Sequence, residues 1–113
     1  MRLKTTLLAA LTLSVSGFAL PSFAENPMVG SDFWENANLA TVQNAITEGH
    51  SATDITGNGY TPLIRALRGK ASIEVIDYLI AQGADVNRNG HDDRPAIFWA
   101  ARYGDLDMVK HVI

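Results

Sequence analysis

The sequence predicts an all-α solenoid, in which short helix pairs are stacked at a fixed interval and joined by hairpin-like loops. Three observations carry that expectation. Polar helix starts recur at a regular interval, an apolar stripe follows each start at helical spacing, and Gly- and Asn-rich turns separate the units.

The helix starts are Asn38, Ser72 and Asp105, and the two intervals between them are equal to within a single position. Each bears a short polar side chain that can accept from the free amides of a first helical turn. Behind them run Leu39, Val42 and Ile46, then Ile73, Ile76 and Ile80, then Leu106, Val109 and Ile113. These step i, i+3, i+7 along one helix face, which Ala45, Leu79 and Val112 widen. Gly49 and Gly83 stand just past the first two stripes, where a left-handed C-terminal residue favours the absence of a Cβ.

A second family of helices alternates with these. Thr61-Pro62 supplies a hydroxyl cap and a proline at the first helical position, ahead of Leu63, Ala66 and Leu67. Pro95-Ala96 opens the next, ahead of Ile97, Ala100 and Ala101, but without a hydroxyl. Ala66 and Ala100 are small enough for close helix approach, and Gly69 and Gly104 mark the turns into the following helices. Thr56-Gly57-Asn58-Gly59 and Arg88-Asn89-Gly90-His91-Asp92-Asp93 read as tight connections between units.

The N-terminal stretch follows a different logic. Arg2 and Lys4 precede an uncharged run from Thr5 to Ala24, which Pro21 breaks before the small-residue pattern Ser22-Phe23-Ala24. This is the layout of a secretory signal peptide, residues 1–24, with cleavage expected before Glu25. A retained membrane anchor fits less well, since Thr12, Ser14, Ser16, Gly17 and Pro21 interrupt the run. The expected product, residues 25–113, is exported, and is periplasmic if the source is bacterial. It would carry 7 Lys+Arg against 12 Asp+Glu, a net charge of −5, which speaks against a nucleic-acid binder. With no cysteine it must fold by packing alone, without disulfides, thiolate metal sites or cysteine nucleophiles.

Catalytic chemistry finds no foothold. No phosphate loop, nucleophile elbow or H-E-x-x-H motif occurs, and Ser31, Ser51 and Ser72 lack evident His and acid companions. His91-Asp92-Asp93 is the one cluster that resembles a metal site. Three ligands on a loop tip make a poor cage, so the expectation is no metal and no cofactor. Asp105 and Asp107 fit a helix first turn, where the dipole favours negative charge. His50 is expected to meet a helix end and His111 to lie at the surface. Phe33 and Trp34 are expected to cover the N-terminal edge of the stack, and Phe98 and Trp99 to pack within and between repeats.

The segment from Asn58-Gly59-Tyr60-Thr61-Pro62-Leu63 through Gly83-Ala84-Asp85-Val86-Asn87 resembles an ankyrin repeat, whose pattern runs D-G-x-T-P-L-H, A-A, a Gly turn, a second helix and G-A-D-V-N. The complete unit spans residues 56–88. Residues 89–113 resemble most of another, through Trp99-Ala100-Ala101-Arg102-Tyr103-Gly104, and residues 33–55 a degenerate leading unit. Several departures are visible. Ile64 and Phe98 replace the family's His, so its hydrogen bonds between repeats are expected to be missing. Asp93 stands where the hairpin has Gly, and one extra residue sits in Gly69-Lys70-Ala71-Ser72. The chain stops at Val112-Ile113 inside the apolar stripe, so cover by further chain or by a partner is expected there.

The resemblance implies a non-enzymatic protein-binding module that uses its hairpin tips and the inner face of its first helices. The family's variable contact positions fall on Asn58, Tyr60 and Arg68 in the complete unit. In the next they fall on Asn89, His91, Asp92, Arg94, Arg102 and Tyr103. Two sharper roles stand beside this one: an inhibitor or immunity protein for an exported enzyme, and a metal-holding accessory of envelope stress defence built on His91 and the Asp pair. The implied partner is a protein, with no nucleic acid and no membrane after cleavage.

Overall fold

A computed structural model describes residues 25–113, so the signal-peptide segment lies outside the described residues. Five helices follow in order: α1 (Leu39–Thr47), α2 (Pro62–Arg68), α3 (Ile73–Ala81), α4 (Ala96–Tyr103) and α5 (Leu106–His111). Three single 3-10 turns accompany them, at Pro27–Val29, Asp32–Glu35 and His91–Asp93. Helix α2 packs on α4, while α1 packs on α3 and α3 on α5. The helices therefore form two layers, with α2 and α4 inside and α1, α3 and α5 outside. Among the described residues there is no strand.

The expected caps form. The Asn38, Ser72 and Asp105 side chains accept from the backbone N–H of Thr41, Val75 and Met108, and Thr61 accepts from Ile64. Each such cap is worth about 1 kcal/mol. Pro95 offers none, as its missing hydroxyl foretold. At the outer-helix ends, Gly49 and Gly83 adopt φ of 100° and 107°. The backbone N–H of His50 reaches back to Ala45 and that of Ala84 to Leu79, which closes both helices.

The core lies between the layers. Val42, Val75, Ile76, Leu79, Leu63 and Leu67 are fully buried, and Ala66 and Ala100 are wholly covered where α2 meets α4. Burying a side chain such as Ile76 or Leu79 contributes about 1.5–3 kcal/mol. The third stripe behaves differently from its expectation. Met108 and Val112 are buried, whereas Leu106 and Ile113 are 68% and 81% exposed. Helix α5 packs on α4 of its own repeat and on α3 of the preceding one.

In the leading unit an irregular segment replaces the inner helix. Met28 is completely buried and Trp34 nearly so, and the Trp34 Nε1 donates to the Met28 carbonyl at 2.8 Å. Trp34 thus covers the edge of α2 as its position implied. The anchor that the sequence reading missed is Asn26. Its side chain accepts from the Met28 N–H at 3.0 Å and donates to the Ser51 carbonyl at 2.8 Å and to Asp54 Oδ2 at 3.1 Å. Buried to 8% exposure, it joins the N-terminal segment to the first inter-repeat loop.

The connections between repeats are turns rather than strand hairpins. Thr56 N–H donates to the Tyr60 carbonyl in one, and Gly90 N–H to the Arg94 carbonyl in the next. The two tips meet backbone to backbone. A Cβ on Gly59 would lie 2.6 Å from the His91 nitrogen, and one on Gly90 would lie 2.6 Å from the Gly59 carbonyl oxygen and collide with Ile64 Cδ1. Ile64, in the place of the family's His, supports the next tip by apolar contact. Polar links between repeats come from elsewhere: His91 Nδ1 donates to the Asn58 carbonyl at 2.8 Å, and His111 Nδ1 to Asp77 Oδ1 at 2.8 Å. His111 is therefore a cross-repeat partner and not merely a surface residue.

Gly69 and Gly104 do end α2 and α4, and the left-handed residues of these connections lie beside them or at the second tip. Neither Gly69 (φ −82°) nor Gly104 (φ −105°) is left-handed, and in the first turn Lys70 takes φ 59° instead. The extra residue there shifts the reversal one position beyond Gly69. At the second tip Asp92 and Asp93 both hold φ 58°. Left-handed backbone costs a residue with a Cβ roughly 1–2 kcal/mol, somewhat less for Asp. Asp93 is exposed, and its equivalent in the preceding repeat is Gly59. Asp93→Gly should therefore raise stability by about 0.5–1 kcal/mol, read as a higher urea midpoint at unchanged slope. A lower midpoint would show that the Asp side chain supports the tip.

Candidate functional site

The inner face of α2 and α4 and the second tip enclose a shallow cleft of about 220 Å³. Its lining is Tyr60, Arg68, His91, Asp92, Arg94, Phe98, Trp99, Arg102 and Tyr103. Seven of the nine sequence-predicted contact positions therefore converge on one hollow. Asn58 and Asn89 lie outside it, exposed on the tips. Asn58 works inside its own turn, where Oδ1 accepts from Thr56 Oγ1 and the carbonyl accepts from His91.

Stacked rings and guanidinium groups build the cleft. The His91 ring stacks on Tyr60 with centroids 4.4 Å apart and planes 19° apart, and the Trp99 and Tyr103 rings lie nearly parallel at 6.2 Å. Phe98 meets Trp99 edge-on at 5.1 Å. Arg65 covers the Tyr60 ring at 3.7 Å and donates its Nε–H to the Val29 carbonyl. Arg68 donates to the Tyr60 hydroxyl and sits 5.6 Å from the Trp99 ring and 5.8 Å from that of Tyr103. Arg94 lies over Phe98 at 4.1 Å, and Arg102 over Tyr103 at 5.2 Å. Such stacking orients the guanidinium planes and leaves their edge N–H groups available.

Tyr60 differs from its expected role. It is only 7% exposed, held between Arg65, Arg68 and His91, so its ring positions neighbours instead of offering a surface. Of the seven positions lining the cleft, Asp92, Arg94 and Arg102 are exposed, and His91, Arg68 and Tyr103 are partly accessible. The sequence reading missed Phe98, Trp99 and Arg65 as parts of this face. Spacing held a signal: Arg65 and Arg68 stand three apart on α2, as do Trp99 and Arg102 on α4, so each pair shares a helix face.

Electrostatically the cleft is uneven. The only ion pairs among the described residues are those of His91 with Asp92 (3.5 Å) and His111 with Asp77. None of the arginines pairs with a described carboxylate. Among the described residues no group of three or more His, Asp or Glu side chains gathers as a metal cage would require. His91 turns its Nδ1 away from Asp92, toward the Asn58 carbonyl.

The sequence matches the family described as Ankyrin repeats (3 copies) over residues 33–113. No curated protein shows significant sequence similarity to the chain. Ankyrin repeats are generally protein–protein interaction modules, typically without catalytic activity. The layered helix pairs, the T-P-L cap at Thr61–Leu63, the stacked tips and the family match over most of the chain agree, and the chain belongs to the ankyrin-repeat family.

Proposed function

We propose that this chain is the binding module of an exported ankyrin-repeat protein, which holds a protein partner through its second tip and the inner face of α2 and α4. The observation that carries the reading is the convergence of seven predicted contact positions on a single cleft. Arg and Tyr, abundant there, are residue types enriched among interface hot spots. The test uses the protein that the immobilised chain captures from the envelope fraction of its source. Arg102→Ala should weaken that complex by about 1 kcal/mol or more. Glu74→Ala, exposed on the outer helix α3, should change it by less than about 0.5 kcal/mol. Equal losses from both faces would refute the inner-face assignment. Tyr60→Ala is a poor probe, because removing a buried ring disturbs the fold as well.

Export rests on the Arg2/Lys4 start, the apolar run and Ser22-Phe23-Ala24. Among the described residues Asn26 is the first buried side chain, and a cut before Glu25 would retain it. Mass spectrometry of the exported form should find an N-terminus at Glu25. A membrane-bound form still starting at Met1 would overturn the export proposal.

A further inference from the structure

We infer that the occupant of the inner cleft is an acidic peptide segment, whose carboxylates pair with Arg68, Arg94 and Arg102. The inference rests on the binding-module reading above and adds the chemistry of the partner. Residues 25–113 carry 12 acidic side chains against 7 basic ones, yet four of those seven, Arg65, Arg68, Arg94 and Arg102, gather on this one face. Charge segregated against the net sign of a chain creates a local field that selects ligands of opposite charge. Asp92 is the only acid lining the cleft, and it lies beside His91. Glu35 shares the adjoining hollow with Arg65 and Arg68 without reaching salt-bridge distance of either.

The arginines are also oriented for the task. Rings hold the Arg94 and Arg102 guanidinium planes at 4.1 and 5.2 Å, and neither side chain donates a hydrogen bond within the described structure. A guanidinium so placed retains its fork of donors, which matches a carboxylate in bidentate fashion. The cleft's small volume suits a few side chains rather than a long polyanion, and the chain's net negative charge opposes nucleic acid. A short peptide with a few carboxylates fits the cleft and meets less of that repulsion than a polyanion does.

The test is selection of a displayed library of random peptides on the whole chain, followed by binding measurements on the selected peptides and on a single-stranded oligothymidylate. The expected result is enrichment of Asp and Glu among the selected peptides. Affinity should fall about tenfold for Arg94→Glu and again for Arg102→Glu, and fall as salt is raised. Circular dichroism of each variant separates lost contacts from lost fold. Peptides without acidic bias that still lose affinity in both variants overturn the carboxylate proposal and leave the inner-face reading standing. Peptides indifferent to both variants, or no selection at all, overturn both. Tighter binding of the oligothymidylate, or self-association of the chain that Arg102→Glu abolishes, assigns the cleft to a different occupant and overturns the proposal.

Discussion

Gly59→Ala should destabilise the chain by about 3 kcal/mol, combining steric overlap with left-handed strain. A Cβ at residue 59 would come within 2.6–2.8 Å of the His91 nitrogen, the Gly90 carbonyl carbon and the His91 Cα, at a φ of 90°. All three are backbone atoms of the neighbouring tip, so no side chain can swing aside. The tips must separate, and the His91 Nδ1 bond to Asn58 and the His91–Tyr60 stack go with them. Gly57→Ala, in the same loop, meets nothing within 4 Å and should change stability by no more than about 0.5 kcal/mol. Urea unfolding followed by circular dichroism compares the two variants directly. Equal, small effects would show that the tips are not in backbone contact.

Trp99→Ala should cost about 3–5 kcal/mol, the usual range for emptying a buried indole site. Trp99 is 5% exposed, touches Phe98 edge-on, stacks on Tyr103 and donates toward the Arg94 carbonyl at 3.3 Å. Against a typical domain stability of about 5–15 kcal/mol, that loss leaves little of the fold. Trp99→Phe keeps most of the ring and drops the hydrogen bond, so its cost should be near ~1 kcal/mol. The pair separates packing from polar contact: a Phe variant as damaged as the Ala variant would make the indole N–H the essential element. The same substitution removes a wall of the cleft, so partner affinity should fall with Trp99→Ala even at temperatures where helix content survives.

Much of this fold was legible because the relevant forces are local and periodic. A short polar side chain before an apolar i, i+3, i+7 stripe caps a helix wherever it stands, so Asn38, Ser72 and Asp105 could be placed from spacing alone. Repetition at a constant interval then required the helix pairs to stack, since one pair cannot bury its own apolar face. That the proposed contact positions would share one face was legible for the same reason: equivalent places in successive repeats fall on the same side of the stack, and seven of the nine line one cleft.

The sequence by itself determined the helix pairs, their caps, their order and the side of the solenoid that carries Arg and Tyr. Tertiary structure alone decided which of those residues are exposed. Tyr60 stands at a tip position that reads as exposed, yet Arg65, Arg68 and His91 cover it. It also decided that Asn26 anchors the N-terminal segment, through bonds to Ser51 and Asp54 in a loop on the far side of α1 in the chain, and that His111 reaches Asp77 across a repeat. The physical reason is common to all of them. A cap or stripe depends on neighbours within one helical turn, whereas burial and cross-repeat hydrogen bonds depend on groups that only the stacking of whole repeats brings together.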